Sequence, residues 1–254
     1  MTRLGLTLPS FVEDPEVPIA VARAAEAAGV DAVFAYDHVF RDHPPPRRPV
    51  LEAFTLLGAI AAETSTIALG TLVARATLRP AAVLAHCFDT VQRVSNGRLI
   101  AGIGSGDHHS REENESFGLE FGTMADRIDA LHDAVHAARE RGYPVWIGGR
   151  AAQVRELVTL ADAWNGWGGD VADFARHEKL VHEVAPDALI TWGGLISFRT
   201  DLDRAGVIAG APEAIARELR RYADAGADWV IAGPVDASNV ENATMLGELV
   251  KPLL

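Results

Sequence analysis

Cysteine is all but missing from this chain. Cys87 stands alone among 254 residues, so no internal disulfide can form and no cysteine-based metal cluster exists. A small packing residue is the expected role of that thiol. Lysine is nearly as scarce. Lys179 and Lys251 are the only two, and both fall in stretches that read as helix, which disfavours Schiff-base chemistry of the aldolase kind at a strand end. Long apolar runs are lacking too, and none approaches the ~20 residues needed to span a bilayer. Positive charge is in deficit. A net charge of −12 argues against nonspecific binding to nucleic acid or anionic membranes, although one local basic pocket would not show in that sum. The opening Met1-Thr2-Arg3-Leu4-Gly5-Leu6 reads as strand rather than signal peptide. With no low-complexity segment and no linker, the expectation is a cytoplasmic protein of one domain over residues 1–254.

What the chain does have is an alternating rhythm. Short apolar runs at 3–8, 31–36, 66–73, 98–103, 144–147, 163–167, 188–198 and 229–232 read as strands. Between them, amphipathic stretches at 15–28, 52–63, 124–141, 151–161, 171–184 and 212–225 read as helices. Another helix opens at Pro80, and the tail from Val240 is helical in pattern. A proline-rich loop covers 37–49, and a long polar loop precedes the helix at 124. Eight strand-helix units in this length predict a parallel α/β TIM barrel, (β/α)8, with an open doubly wound sheet as the second choice.

Barrel active sites gather at the C-terminal ends of the strands. That rule selects Asp37 and His38, Val73 to Arg75, Gly104 to Asp107, Gly148 to Arg150, Trp164 to Gly168, Arg199, and Pro234 to Asp236. Gly104-Ser105-Gly106 is a turn of missing and tiny side chains, where backbone N–H groups and a hydroxyl can hold an anion. Such a turn is equally a common way to end a buried strand. Gly148-Gly149-Arg150 opens the next helix, where N–H groups and the positive dipole end favour an anion and Arg150 adds charge. An exposed first-turn arginine is the plainer reading of Arg150. His132 and His136 are four apart on one helix with no third ligand in sight, so no metal is expected. His108 and His109 could touch substrate or simply belong to a polar loop.

The same positions resemble the luciferase-like monooxygenase superfamily, and within it the branch that uses the deazaflavin coenzyme F420. The matching pieces run in order along the chain: Ala27-Ala28-Gly29-Val30-Asp31, Asp37-His38, Leu51-Glu52-Ala53-Phe54, Thr64, Leu69-Gly70-Thr71, Arg79-Pro80 and Ser95-Asn96-Gly97-Arg98. They continue with Gly102-Ile103-Gly104-Ser105-Gly106, Phe117-Gly118, Arg127, Ile147-Gly148-Gly149 and Ala161-Asp162-Ala163-Trp164-Asn165. One departure stands out. Members commonly carry a long insertion before strand five, whereas here the chain passes directly from helix to strand between Arg127 and Pro144. That leaves a more open pocket, or one completed by a second subunit in a homodimer.

The resemblance implies a ring cofactor, coenzyme F420 or alternatively FMN, lying across the barrel mouth. Asp37 and His38 would lie beside it, and Leu72-Val73 would support one face through a non-proline cis peptide. Ser105 and Gly106, with Gly104, would hold the phosphate or ribityl chain, as would Gly148, Gly149 and Arg150. Trp164, Asn165 and Trp167 would line the pocket, although a tryptophan on a barrel strand is more often core. His38 is the first choice for polar catalysis, because an imidazole can donate to a reduced ring or relay a proton near neutral pH. A histidine that only binds a loop is its rival. Asp107 stands where some relatives place an acidic proton donor, and a helix or loop cap is its rival reading. The implied activity is hydride transfer between F420 and a small organic substrate. An FMN-dependent monooxygenase using oxygen, a noncatalytic flavin-binding relative, and a phosphate-binding barrel isomerase are the other readings.

Overall fold

Apolar runs too short for stable helices become parallel strands, and the amphipathic stretches between them lie over the outer faces of those strands. The computed structural model describes residues 2–40, 48–107 and 110–254. In chain order the elements are β1 (Arg3–Thr7), α1 (Glu16–Ala27), β2 (Ala32–Ala35), α2 (Ala53–Glu63), β3 (Ala68–Thr71), β4 (Ala74–Arg75), α3 (Ala81–Val94) and β5 (Leu99–Gly104). They continue with α4 (Ser110–Ser116), α5 (Met124–Arg139), β6 (Val145–Gly148), α6 (Ala151–Val158), β7 (Ala163–Trp167) and α7 (Val171–His182). The last are β8 (Leu189–Ser197), β9 (Val207–Ala209), α8 (Pro212–Asp224), β10 (Trp229–Pro234) and α9 (Val240–Met245), with short helical turns to Leu253. Among the described residues, no helix is long and apolar enough to cross a membrane. Most of the proline-rich loop and the pair His108-His109 lie outside the described residues.

All strand pairings are parallel, in the order β10-β1-β2-β3-β5-β6-β7-β8, and the sheet closes on itself. Trp229 of β10 pairs with Arg3 on one side and Thr191 on the other, which rules out an open sheet. Three elements depart from the sequence reading. The third strand is broken: a cis peptide joins Leu72 to Val73, and β4 then resumes pairing, Ala74 with Ile103 and Arg75 with Gly104. β9 pairs only with the last residues of β8. The loop expected before α5 holds the short polar helix α4. Helix α5 begins at a capping box in which Thr123 and Asp126 satisfy each other's backbone donors, and it is joined to β6 by residues 140–144 alone.

One device recurs at the N-terminal ends of the strands. Asp31, Asp162 and Asp228 each directly precede a strand, and each carboxylate accepts a backbone N–H from the strand beside it. The donors are Leu4, Val145 and Ile190, all at 2.8 Å. Each bond ties one strand start to its neighbour and so fixes register. Arg98, in the Ser95-Asn96-Gly97-Arg98 motif, serves the same end. Its guanidinium donates to the carbonyls of Ala61, Thr64 and Ile67, fastening the C-terminal end of α2 to the barrel floor.

Inside the barrel, Phe34 packs on Trp146 and Trp146 on Trp229, with ring centroids 5.5 and 5.2 Å apart. Ile100, Ala163 and Ile231 fill the space between them. A larger apolar layer lies between the strands and the helices, built from residues such as Leu4, Leu69, Ile147 and Val230 against Val21, Leu57, Phe88 and Val135. Cys87 packs at the edge of this layer. His132 and His136 are exposed on α5.

Candidate active site at the barrel mouth

The C-terminal ends of the strands meet over a floor made by two side chains, and glycines make room for both. Val73, just past the cis bond, projects inward between β5 and β6. A Cβ at Gly104 would stand 2.5 Å from one Val73 methyl, and a Cβ at Gly148 2.6 Å from the other. Neither position tolerates a side chain while Val73 stays in place. Trp167 covers the other half of the mouth. A Cβ at Gly193 would lie 2.5 Å from its ring and one at Gly233 3.2 Å from it. The indole reaches Tyr36 edge-on at 6.1 Å, and Tyr36 stacks on Phe11 at 5.8 Å. Trp167 keeps 44% of its surface exposed, so apolar indole surface remains open at this end of the barrel.

Beside that floor lies a buried charge network. His38 Nδ1 stands 2.7 Å from Glu113 Oε1, and the ring of Phe11 flanks the imidazole at 5.5 Å. The other Glu113 oxygen accepts from Val39 N–H at 2.9 Å and Arg75 Nη2 at 3.0 Å. Arg75, also fully buried, donates to the Asp37 carbonyl, the Ser110 carbonyl and Asn114 Oδ1. The Asp37 carboxylate is 2% exposed. It accepts from the Arg75 amide and, on both oxygens, from Arg79, which also binds Glu52. Burial pushes the Glu113 carboxyl up, but the His38 and Val39 hydrogen bonds and the Arg75 charge outweigh it and hold the group below its ordinary range. Burial lowers Arg75 against the pull of Glu113, Asp37 and Asp107, and a guanidinium stays charged regardless.

The site residues expected from sequence, Trp164 apart, separate into three groups. Asp37, His38, Leu72, Val73, Gly104, Gly148 and Asn165 converge at this end of the barrel. Asp37 has no carboxylate oxygen left free of arginine, so its contribution runs through Arg75 and Arg79. Asn165 is buried inside the barrel and donates to Thr191 Oγ1 at 2.8 Å. Ser105, Gly106 and Asp107 follow at the rim. Gly106 takes the positive φ of 75° that favours glycine, and Asp107 Oδ1 accepts from Ser110 N–H and Oγ in the manner of a cap on α4. Gly149 and the exposed Arg150 start α6 further out.

Trp164 is a correction. It lies on the outer face of β7, 1% exposed, stacked on Phe174 of α7, and its indole N–H donates to the Gly149 carbonyl. It therefore braces the β6–α6 turn from behind and cannot line the mouth. Glu113 is the residue that sequence reasoning missed. The sequence carries no signal for it: residues 110–116 are polar throughout, and only the structure shows Ser110, Glu113 and Asn114 buried while Arg111, Glu112 and Glu115 are exposed.

A hollow of about 320 Å³ opens at the opposite, N-terminal end, lined among others by Arg3, Asp31, Trp146, Leu189 and Trp229. It holds no counterpart of the His38–Glu113 pair, and in a parallel barrel the strand ends that carry chemistry are the C-terminal ones.

Fold and mouth together define a closed parallel α/β barrel whose C-terminal end is floored by Val73 and Trp167, with glycines clearing space for both. The chain belongs to the luciferase-like monooxygenase family, whose profile matches residues 3–190. Over 167 residues it is 38% identical to the F420-dependent glucose-6-phosphate dehydrogenase of Beutenbergia cavernae, covering 64% of this chain and 46% of that protein. The chain thus spans about half the length of the curated relatives it matches. Among solved structures it resembles an F420-dependent secondary alcohol dehydrogenase in complex with an F420-acetone adduct, with a TM-score of 0.83 at 15% identity over 100% of this chain and 99% of that one. It also resembles the oxygenating constituent of 3,6-diketocamphane monooxygenase from Pseudomonas putida in complex with FMN, with a TM-score of 0.76 at 12% identity over 99% and 98%. At such identities the structural likeness concerns the fold.

Proposed function

We propose that this protein is an oxidoreductase that moves a hydride between coenzyme F420 and a small organic substrate at the C-terminal mouth of its barrel. The observation that carries the reading is the floor of Val73 over Gly104 and Gly148 with His38 beside it. An apolar floor with no side chain at Gly104 or Gly148 beside it suits a planar ring. The exposed Arg150 at the start of α6, with Gly149 before it, suits the anionic tail, as do Ser105 and Gly106. In this reading Val73 and Leu72 support the ring and His38 holds or passes the proton at the reacting edge. When bound, the coenzyme supplies a carbon that gives or takes a hydride. The buried network around Asp37 and Arg75 keeps His38 in position and excludes water behind it. Trp167 offers the substrate an apolar face.

The curated relatives named for glucose 6-phosphate make that sugar phosphate the first substrate to assay. The reading describes a cytoplasmic enzyme of one barrel domain, working alone or as a homodimer in which a second subunit completes the open side of the pocket. An FMN-dependent monooxygenase is the second reading, supported by the likeness to an FMN-bound barrel. Parallel titrations with F420 and FMN, followed by fluorescence, separate the two. Tight F420 binding with F420-linked turnover is expected. Tight FMN binding with F420 ignored would overturn the proposal, and binding without any turnover would point to the noncatalytic relative.

A further inference from the structure

We propose that Glu113 is the positioning residue of His38, fixing the imidazole with its proton on Nδ1 and leaving Nε2 as the edge that meets a reacting partner. Three observations lead there. First, Glu113 Oε1 stands 2.7 Å from His38 Nδ1, a contact that needs one proton between the two atoms. Second, the other carboxylate oxygen faces only donors, the Val39 N–H and Arg75 Nη2. A proton on that oxygen would point at a donor, and a proton on Oε1 would leave the buried Arg75 guanidinium without its anion, so the group is a carboxylate with acceptor capacity only. The proton of the 2.7 Å bond therefore belongs to Nδ1, and in the neutral ring Nε2 carries the lone pair. Third, the Glu113 side chain is 6% exposed while that of His38 keeps 25%. The solvent-reachable part of the ring is then the side away from Glu113, with Phe11 limiting its swing.

The arrangement also joins two parts of the mouth that the sequence keeps far apart. His38 follows β2, whereas Glu113 comes from α4, in the same connection as Gly104-Ser105-Gly106. Arg75 locks that helix down by donating to the Ser110 carbonyl, Asn114 Oδ1 and Glu113 together. The direction of the imidazole thus depends on the docking of α4. A tautomer set by the partner of the other ring nitrogen is a general property of histidine.

The inference builds on reading His38 as the polar group of the site, but its test needs no coenzyme. The protein is labelled with 15N-histidine and long-range 1H–15N correlations are recorded, with His38 assigned by the signal lost in His38→Gln. The expected result is the Nδ1–H tautomer for the neutral ring in the unmodified protein. In Glu113→Ala the expected result is its replacement by the Nε2–H form that unconstrained imidazoles favour. An Nε2–H ring in the unmodified protein overturns the proposal, as does an unchanged tautomer in Glu113→Ala. If Glu113→Ala does not fold, the unmodified protein's spectrum decides by itself. Turnover provides the second arm: Glu113→Gln should lower kcat by roughly 10–100-fold with KM for the coenzyme held within about twofold, the split expected of a misdirected proton carrier. A Nδ1–H ring together with no F420-linked activity in the unmodified protein would fault the coenzyme assignment and leave the role of Glu113 standing.

Discussion

Removing the Arg75 side chain should be the most damaging single change at the mouth. Arg75→Met keeps much of the volume and the backbone bond from the Arg75 amide to Asp37. It takes away the guanidinium bonds to the Asp37 carbonyl, the Ser110 carbonyl, Asn114 and Glu113. Asp37 retains Arg79, but Glu113 is left as a buried carboxylate that faces, among the described residues, the Val39 N–H and the His38 imidazole and no arginine. Breaking a buried ion pair from one side costs about 3–5 kcal/mol. In a chain of this size each kcal/mol shifts Tm by about 2–4 °C, so a fall of roughly 6–20 °C is expected. Thermal melts followed by circular dichroism, with urea titrations for the free energy, measure it. The double variant Arg75→Met with Glu113→Gln should recover part of the loss, because the stranded charge is gone. A loss below about 1 kcal/mol for Arg75→Met, or a double variant as unstable as the sum of the singles, would refute the reasoning.

Gly148→Ala should cost about 1–3 kcal/mol, because the new methyl falls 2.6 Å from Val73, and Val73→Ala in the same chain should return most of that loss in urea titrations. Trp164→Phe should cost about 1 kcal/mol through the lost bond to the Gly149 carbonyl, with coenzyme affinity changed only through the loosened turn; direct titration distinguishes this from a pocket-lining tryptophan. Acid stability should report on Glu26. Burial pushes this carboxyl up, but the N–H groups of Thr66, Ile67 and Ser65 and the Thr66 hydroxyl hold it at about 2. Its folded value lies below its unfolded one, so its stabilising effect is complete above the ordinary carboxylate range and fades as pH falls toward 2. Melts from pH 7 down to pH 2 should show Glu26→Gln less stable than the unmodified protein near neutrality, with the gap closing in acid.

Much of the barrel is legible because strand and helix alternate with sharp breaks. The run at 163–167 is a strand with those same bounds, since Asp162 and Gly168 punctuate it. Which of its side chains face inward is not legible. A parallel strand is covered on both faces, so polar-apolar alternation disappears, and Trp164 and Trp167 look alike in sequence while pointing to opposite layers. The glycines at 104 and 148 are conspicuous in sequence, yet the geometry gives them a different first duty from anion binding. They clear space for Val73, and only the broken third strand reveals that need. Glu113 was hidden for a related reason. Among four acidic residues in a polar stretch, the one that turns inward is selected by Arg75 and His38, partners some 38 and 75 positions away. The two-residue β4 carries no periodicity at all.

A crystal structure of the protein grown with coenzyme F420 tests the central claim most directly. The deazaflavin ring is expected to lie on Val73, beside Gly104 and Gly148, with His38 within hydrogen-bond reach of its reacting edge or of the substrate space above it. Density for the coenzyme elsewhere, for instance in the hollow beside Arg3 and Trp229, or a ring at the mouth with His38 turned away, would contradict it.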